Sequence, residues 1–316
     1  MSLTLHAGTR LLVVAPHPDD ESIATGELIQ QVRQAGGDVR ILLLTNGDNN
    51  PWPQRWVERR LRIGMDERRR WGERRRTEVA HALAQLGVDP QALHAQGWPD
   101  MGVTDQIRQS PQESVATISA MLDAFRPTLV ALPSLGDHHP DHSAAHVMTR
   151  LAVAGWAEPA PRMLAYLVHG HEMAGSARVK LDSSVGLHAN KMAALACHRS
   201  QMALSGKRMR RMADRAERYQ WVRGSSAATE SAVLPWRPSR SLQRWMTLTL
   251  VDTAGVREWS WRRAPLVMDA QGRYVLHGLD PVVTGPRFLK LHMKVPSPWI
   301  FDRWGWCELK ADTPPA

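Results

Sequence analysis

Apolar positions along the chain follow two different periodicities. Largely apolar runs at 11–15, 39–45, 128–132 and 163–168 are typical of strands buried in a sheet, and 93–98 is interpreted as a further strand. Between them, 21–35, 111–125 and 140–154 have the spacing of amphipathic helices, and Gly36-Gly37 ends the first. Strands that alternate with helices form right-handed βαβ units. The pattern therefore predicts an α/β fold, with a Rossmann-like, mostly parallel sheet and helices on both faces.

The pattern changes from about Glu230 onward. Short alternating segments at 246–251, 257–262, 273–276 and 288–293 are separated by glycine-containing turns, which predicts a small antiparallel β region. We therefore expect an enzyme-sized domain over 1–225 and a β-rich region over 226–316 packed on it. Eight of the thirteen tryptophans lie from Trp221 onward. They are interpreted either as core or, for Trp299, Trp304 and Trp306, as an aromatic lid that stacks on a sugar ring.

Composition narrows the class of protein. A chain of 316 residues can bury a substantial core, and two cysteines argue against a disulfide framework. Neither a signal segment nor an apolar run of membrane-spanning length is recognisable. The expected location is the cytoplasm, with peripheral contact at the inner face of the membrane as an extension of that prediction.

The formal net charge of +9 is concentrated in two runs. Residues 55–76 contain ten arginines against four acidic residues, and 207–218 form a second basic run. Both are consistent with solvated helical faces, and equally with binding of an anionic substrate or an anionic membrane surface. Nucleic acid would also suit the charge, but no nucleic-acid-binding module is recognisable, so none is expected as a partner.

Ionisable side chains follow two of the predicted strands. The first strand leads into His17-Pro18-Asp19-Asp20, and the strand at 128–132 leads into His139-Pro140-Asp141-His142. His17 and Asp20 can converge on one divalent metal, which leaves Asp19 free to act as a base. Alternatively, Asp19 and Asp20 only cap the following helix. Two strand ends that carry complementary ligands fit a three-ligand zinc site with an open position for water.

The two clusters together, with Glu21 and His146, resemble the LmbE-like (PIG-L) family of metal-dependent N-deacetylases over roughly residues 10–205. The resemblance implies that His17, Asp20 and His142 bind Zn²⁺ or another divalent metal and that Asp19 is the general base. It also implies that His139 stabilises the oxyanion or protonates the leaving amine, and that Asp141 holds a histidine in its working tautomer.

The same resemblance implies substrate contacts by Arg75, Asp100 and Gln201. The expected reaction is removal of an acetyl group from an N-acetylated amino sugar or glycoconjugate, with an anionic substrate favoured by the basic runs. The alternatives are an amidase that acts on a thiol-sugar conjugate and a non-catalytic carbohydrate- or nucleic-acid-binding protein. His169-Gly170-His171-Glu172 additionally suggests a second metal site.

Overall fold

A computed structural model describes residues 3–170, 178–223, 230–293 and 304–309. Its strands form three sheets within these ranges. The largest contains β1 (Arg10–Ala15), β2 (Asp38–Thr45), β3 (Leu93–Trp98), β4 (Leu129–Pro133), β5 (Arg162–Tyr166), β6 (Arg178–Lys180) and β7 (Arg218–Val222), in the order β3-β2-β1-β4-β5-β7-β6.

The first five of these strands are parallel, and β7 and β6 are added at one edge in antiparallel pairing. The predicted α/β fold with a mostly parallel sheet is confirmed. The strand order reverses between β1 and β4, which pair directly through Leu11–Leu129, Leu12–Val130 and Val13–Ala131. In open α/β sheets, ligands bind beyond the carboxyl ends of the strands at such a reversal.

Helices cover both faces of this sheet. Their bounds are α1 (Asp20–Gln34), α2 (Pro51–Glu58), α3 (Met65–Gln85), α4 (Val103–Gln109), α5 (Pro111–Phe125), α6 (Pro140–Ala154), α7 (Val185–Cys197) and α8 (Arg199–Ala213). One face of the sheet packs on α1, α3, α7 and α8, and the other packs on α4, α5 and α6. Alternate β1 side chains point to opposite cores, which explains why the strand is apolar throughout.

The C-terminal segment contains two antiparallel sheets and a short α-helix, α9 (Arg240–Gln243). In sequence, α9 lies between the first strand of this segment and the others. A three-stranded sheet is formed by β8 (Ser231–Val233), β11 (Leu266–Met268) and β12 (Tyr274–His277). A four-stranded sheet is formed by β9 (Met246–Asp252), β10 (Gly255–Ser260), β13 (Phe288–Met293) and β14 (Cys307–Glu308). The domain division expected at 225/226 falls within 224–229, outside the described residues, and stays a prediction.

The four-stranded sheet is packed against the larger domain. Val251, Phe288 and Trp306 join the same apolar cluster as α5 and α6, and Arg150 of α6 contacts Glu308 at 2.8 Å. Trp306 is buried, so the lid expectation is wrong for this residue. Trp304 packs against the apolar cluster of the C-terminal sheets, and Trp299 lies outside the described residues.

Candidate metal centre

The chain turns sharply between β1 and α1. Asp20 begins α1, and its carboxylate Oδ2 accepts the backbone N–H of His17 at 2.9 Å. Asp19 has φ 123°, an uncommon conformation for a residue with a side chain, and it makes no side-chain capping hydrogen bond to α1. Asp19 is the N-cap residue of α1 and Asp20 lies in its first turn, as the helix-cap alternative expects, but the Asp19 side chain is not used for capping. Strained backbone of this kind is typical of functional sites.

The second cluster lies at the start of α6, directly beyond β4. His139 is the N-cap residue, and its Nδ1 accepts the backbone N–H of Asp141 at 3.2 Å. Pro140 occupies the first turn, where a missing N–H costs nothing. His142 is fully buried and lies beside His17, with ring centroids 5.2 Å apart. Pairing of β1 with β4 thus brings together two motifs that are 125 residues apart.

Three side-chain atoms form a nearly equilateral triangle. His17 Nδ1 lies 3.2 Å from His142 Nε2 and 3.4 Å from Asp20 Oδ2, and His142 Nε2 lies 3.2 Å from Asp20 Oδ2. Tetrahedral ligands about 2.0–2.1 Å from a zinc ion are separated by about 3.3–3.4 Å. His17, Asp20 and His142 therefore have both the donor types and the spacing that a divalent metal requires.

Two other combinations of side chains also converge near His17. His17, His139 and His142 form one group, and His17, Asp100 and Asp141 form another, each with ligand atoms within 4.8 Å of one another. The second group surrounds the opposite nitrogen of His17, since Nε2 lies 3.3 Å from Asp100 and 3.4 Å from Asp141. These carboxylates are suited to hold the Nε2 proton while Nδ1 faces the triangle.

Asp137 contacts the nitrogen of His142 that does not belong to the triangle. Its Oδ2 lies 3.1 Å from His142 Nδ1 and accepts the backbone N–H groups of Val168 and His169, each at 3.0 Å. Burial alone would raise the pKa of this carboxyl, but the contact with His142 lowers it. Sequence reasoning did not assign Asp137 a role. The signal was available, because a carboxylate commonly contacts the outer nitrogen of a metal-binding histidine.

Asp141 lies at the start of α6, beside His17. Its carboxylate accepts the backbone N–H groups of Met101 at 2.7 Å and Val103 at 3.1 Å, and it contacts His17 rather than His142. Asp141 thus joins the start of α6 to the start of α4. The expectation that it contacts a histidine agrees with the geometry, while the group on His142 is Asp137.

Arg75 contacts the candidate base. It is buried, and its Nη2 lies 3.2 Å from Asp19 Oδ2. The same guanidinium donates to the carbonyl oxygens of Gly47 at 2.5 Å and Pro18 at 2.6 Å. Burial raises the pKa of Asp19 to about 6, although the charge of Arg75 opposes the rise. In this structure Arg75 fixes the loop that carries Asp19, and its contact with substrate stays a prediction.

The other two predicted substrate residues occupy different environments. Asp100 lies against His17 and accepts the backbone N–H of Asn49 at 2.9 Å. Burial raises the pKa of Asp100, but the hydrogen bond and charge of His17, the Asn49 N–H and the charge of Arg75 together outweigh burial and bring the pKa to about 2. Gln201 is buried at the start of α8, and its Nε2 has no hydrogen-bond partner among the described residues. No described contact joins Gln201 to the histidine cluster.

Two further histidines were considered from sequence. His146 is buried with Nδ1 2.8 Å from the Pro133 carbonyl oxygen, so it packs against β4. His169 lies with its ring centroid 5.1 Å from that of His142, which makes it part of the first cluster. The hypothesis of a second metal site stays a prediction, because His171 and Glu172 lie outside the described residues.

Comparison with known proteins found a family model and several relatives that match this chain. Residues 12–153 match the PIG-L family model, described as GlcNAc-PI de-N-acetylase. A 1D-myo-inositol 2-acetamido-2-deoxy-alpha-D-glucopyranoside deacetylase of Mycobacteroides abscessus is 35% identical over 162 residues, which cover 46% of this chain and 57% of the relative. The chain thus spans little more than half the length of this curated relative.

Solved structures share the architecture. A conserved protein from Thermus thermophilus has a TM-score of 0.50 and 26% identity, covering 72% of this chain and 99% of that protein. A deacetylase of the teicoplanin biosynthesis pathway has a TM-score of 0.52 and 20% identity, covering 67% of this chain and 97% of its own. The second likeness shows the fold alone.

Proposed function

Because residues 12–153 match the PIG-L family model, we propose that this chain is a metal-dependent hydrolase that removes the acetyl group from an N-acetylated amino sugar or glycoconjugate. The observation that carries the proposal is the triangle of His17 Nδ1, Asp20 Oδ2 and His142 Nε2. Asp19 precedes Asp20 in the chain, and Arg75 contacts its carboxylate. An acetamido sugar linked to inositol, the substrate in the printed name of the Mycobacteroides abscessus relative, is the substrate class to test first.

His17, Asp20 and His142 would hold the metal, with zinc as the proposed ion, and their two imidazoles and one carboxylate suit it. When bound, such a metal lowers the pKa of water and polarises a carbonyl group. Asp19 is proposed to accept the proton of the attacking water, since it adjoins Asp20 without belonging to the ligand triangle. Arg75 keeps the Asp19 carboxylate in place through a contact of 3.2 Å.

His139 has a defined tautomer when neutral. Its Nδ1 accepts the backbone N–H of Asp141, so the proton is carried on Nε2. Burial and the neighbouring imidazoles keep the pKa of His139 far below its usual range. We propose that Nε2–H donates a hydrogen bond to the carbonyl oxygen as negative charge develops there. The products are acetate and the free amine, with one water consumed.

The proposed cellular setting is the cytoplasm. In the part of the chain that the structure describes, no helix combines the length and apolar character needed to cross a bilayer. Contact with the surface of a membrane is a separate question, which depends on the exposed side chains.

The test is acetate release by purified protein from a panel that includes an acetamido sugar linked to inositol and free N-acetylated amino sugars. We expect release that stops on chelation and returns when zinc is added back. Asp19→Asn should retain the metal content of wild type and lower turnover on the order of 10²-fold or more. Asp89→Asn, which changes an exposed aspartate distant in sequence from both motifs, is the matched control. Protein that binds one metal ion but releases acetate from no substrate would refute the proposal.

A further inference from the structure

An exposed apolar patch lies on α2 and the segment that follows it. Trp52 and Trp56 are 65% and 66% exposed, and Leu61 and Met65 are 88% and 81% exposed. The two tryptophans are four residues apart on α2, so they share one face. Several large apolar side chains exposed together are uncommon on soluble proteins and typically mark an interaction site.

Positive charge surrounds this patch. Arg59 and Arg62 are exposed and have no ion pair among the described residues, whereas Arg60 contacts Glu67 at 3.0 Å. Residues 51–70 contain seven arginines against three acidic residues. The patch is therefore basic as well as apolar.

The second basic run of the sequence lies next to the first. Helix α8 packs against α2, contains five basic residues and no acidic ones, and exposes Leu204 beside its charges. Two runs separated by about 140 residues in sequence thus form one basic-apolar surface, defined by the exposed side chains of α2, residues 59–65 and α8. All five basic residues of α8 are exposed, namely Arg199, Lys207, Arg208, Arg210 and Arg211.

This basic-apolar surface adjoins the candidate metal centre. The backbone N–H of Asn49 donates to Asp100, which contacts His17, and the Asn49 side chain accepts from Arg68 of α3 at 2.5 Å. Asn50 then caps α2, accepting the backbone N–H of Trp52 at 3.3 Å. The helix that carries the exposed tryptophans therefore begins two residues after a group bound to the histidine cluster.

We propose that the basic-apolar surface docks this protein on an anionic lipid bilayer. Indole rings favour the boundary between water and lipid, exposed Leu and Met side chains gain from burial in the acyl region, and arginines are attracted to anionic headgroups. A soluble polyanion would use the arginines but would leave Leu61 and Met65 exposed. The proposal does not depend on the proposed reaction, because it rests on exposure and charge alone.

The experiment is sedimentation of the full chain with vesicles of phosphatidylcholine, with or without phosphatidylglycerol. Wild type should bind the anionic vesicles, and added salt should weaken the binding. The double variants Trp52→Ala/Trp56→Ala and Arg59→Gln/Arg62→Gln should each lower the apparent affinity on the order of tenfold. Trp245→Ala is the matched control, because Trp245 is 44% exposed and has a guanidinium 5.1 Å from its ring, as Trp52 has at 5.0 Å.

Three results would overturn the proposal: wild type that ignores anionic vesicles, double variants that bind like wild type, or an equal loss in Trp245→Ala. Loss in the arginine variant alone, together with competition by inorganic polyphosphate, would indicate a polyanion surface and also refute it. Acetate release from the panel of soluble acetamido sugars described above is measured on the same proteins. Vesicle binding without acetate release would refute the proposed reaction and leave docking supported. Acetate release without vesicle binding would refute docking and leave the proposed reaction supported.

Discussion

At the scale of single residues, metal binding depends on the group that contacts the outer nitrogen of a ligand histidine as well as on the histidine itself. Asp137 is enclosed between His142 and the backbone N–H groups of Val168 and His169. Its carboxylate stays charged because the pKa falls through its contact with His142, despite burial. A charged acceptor at Nδ1 directs the lone pair of Nε2 toward His17 and Asp20.

We therefore predict that Asp137→Asn weakens metal binding by about 10- to 100-fold. The asparagine is similar in shape but lacks the charge that fixes the imidazole. Competition with a chromophoric chelator measures the affinity, and unfolding of the metal-free protein checks that the variant folds. Asp89→Asn should bind metal like wild type. Equal affinity in both variants would mean that another group orients His142.

At the scale of elements, β13 carries a buried lysine, Lys290, between two cores. Phe288 and Lys290 point toward the larger domain, while Leu289 and Leu291 point into the C-terminal core. Burial lowers the pKa of Lys290 to about 7, and the nearby charge of Arg108 contributes in the same direction. His292 follows on the same face of β13, and Glu258 of β10 pairs with Arg108 at 2.5 Å.

The consequence is a pH-dependent stability above neutral pH. In the unfolded chain a lysine has a pKa of about 10.4, so between about pH 7 and pH 10 the unfolded state binds a proton that the folded state has released. The free energy of unfolding of wild type should therefore rise with pH in this window, relative to Lys290→Met, by a few kcal/mol at most. Urea unfolding across this range measures it. Lys207→Met, at an exposed position, should run parallel to wild type.

If Lys290→Met also runs parallel to wild type, Lys290 is protonated in the folded protein throughout this range. The packing of β13 against the larger domain would then contain a charged lysine that its surroundings stabilise.

At the scale of the whole molecule, the C-terminal sheets contribute to the core of the larger domain. Trp306 is 4% exposed and lies in one cluster with Phe288, Val251 and the apolar faces of α5 and α6. The metal centre lies at the carboxyl ends of β1 and β4. Trp306 is therefore expected to affect stability rather than substrate binding.

Trp306→Ala should lower the free energy of unfolding by about 3–5 kcal/mol, as removal of a buried aromatic side chain does. The folded fraction should keep the KM of wild type, because no described contact joins Trp306 to the histidine cluster. Denaturant unfolding and steady-state kinetics measure the two quantities. Trp245→Ala, at a partly exposed position, should cost far less. A raised KM with unchanged stability would restore the aromatic-lid hypothesis for Trp306.

Local sequence determined the parts of this protein that depend on near neighbours. Buried strands are continuous apolar runs because both faces of the sheet are covered, and this periodicity predicted β1, β2, β4 and β5. Parallel strands joined by helices bring their carboxyl ends to one edge, so the ionisable clusters that follow β1 and β4 were predicted to meet. The family resemblance then selected His142 as the third ligand beside His17 and Asp20. Four strands of the C-terminal region were predicted from alternation and turns.

Only the tertiary structure decided which groups meet across long separations. It brought Asp137 and His169 behind His142, set Arg75 against Asp19 and two carbonyl groups, and joined two basic runs into one surface. It also divided the C-terminal strands between two sheets and buried Trp306 against α5 and α6. Periodicity and spacing report the face on which a side chain lies. Its partner depends on how distant elements pack, which the local pattern does not encode.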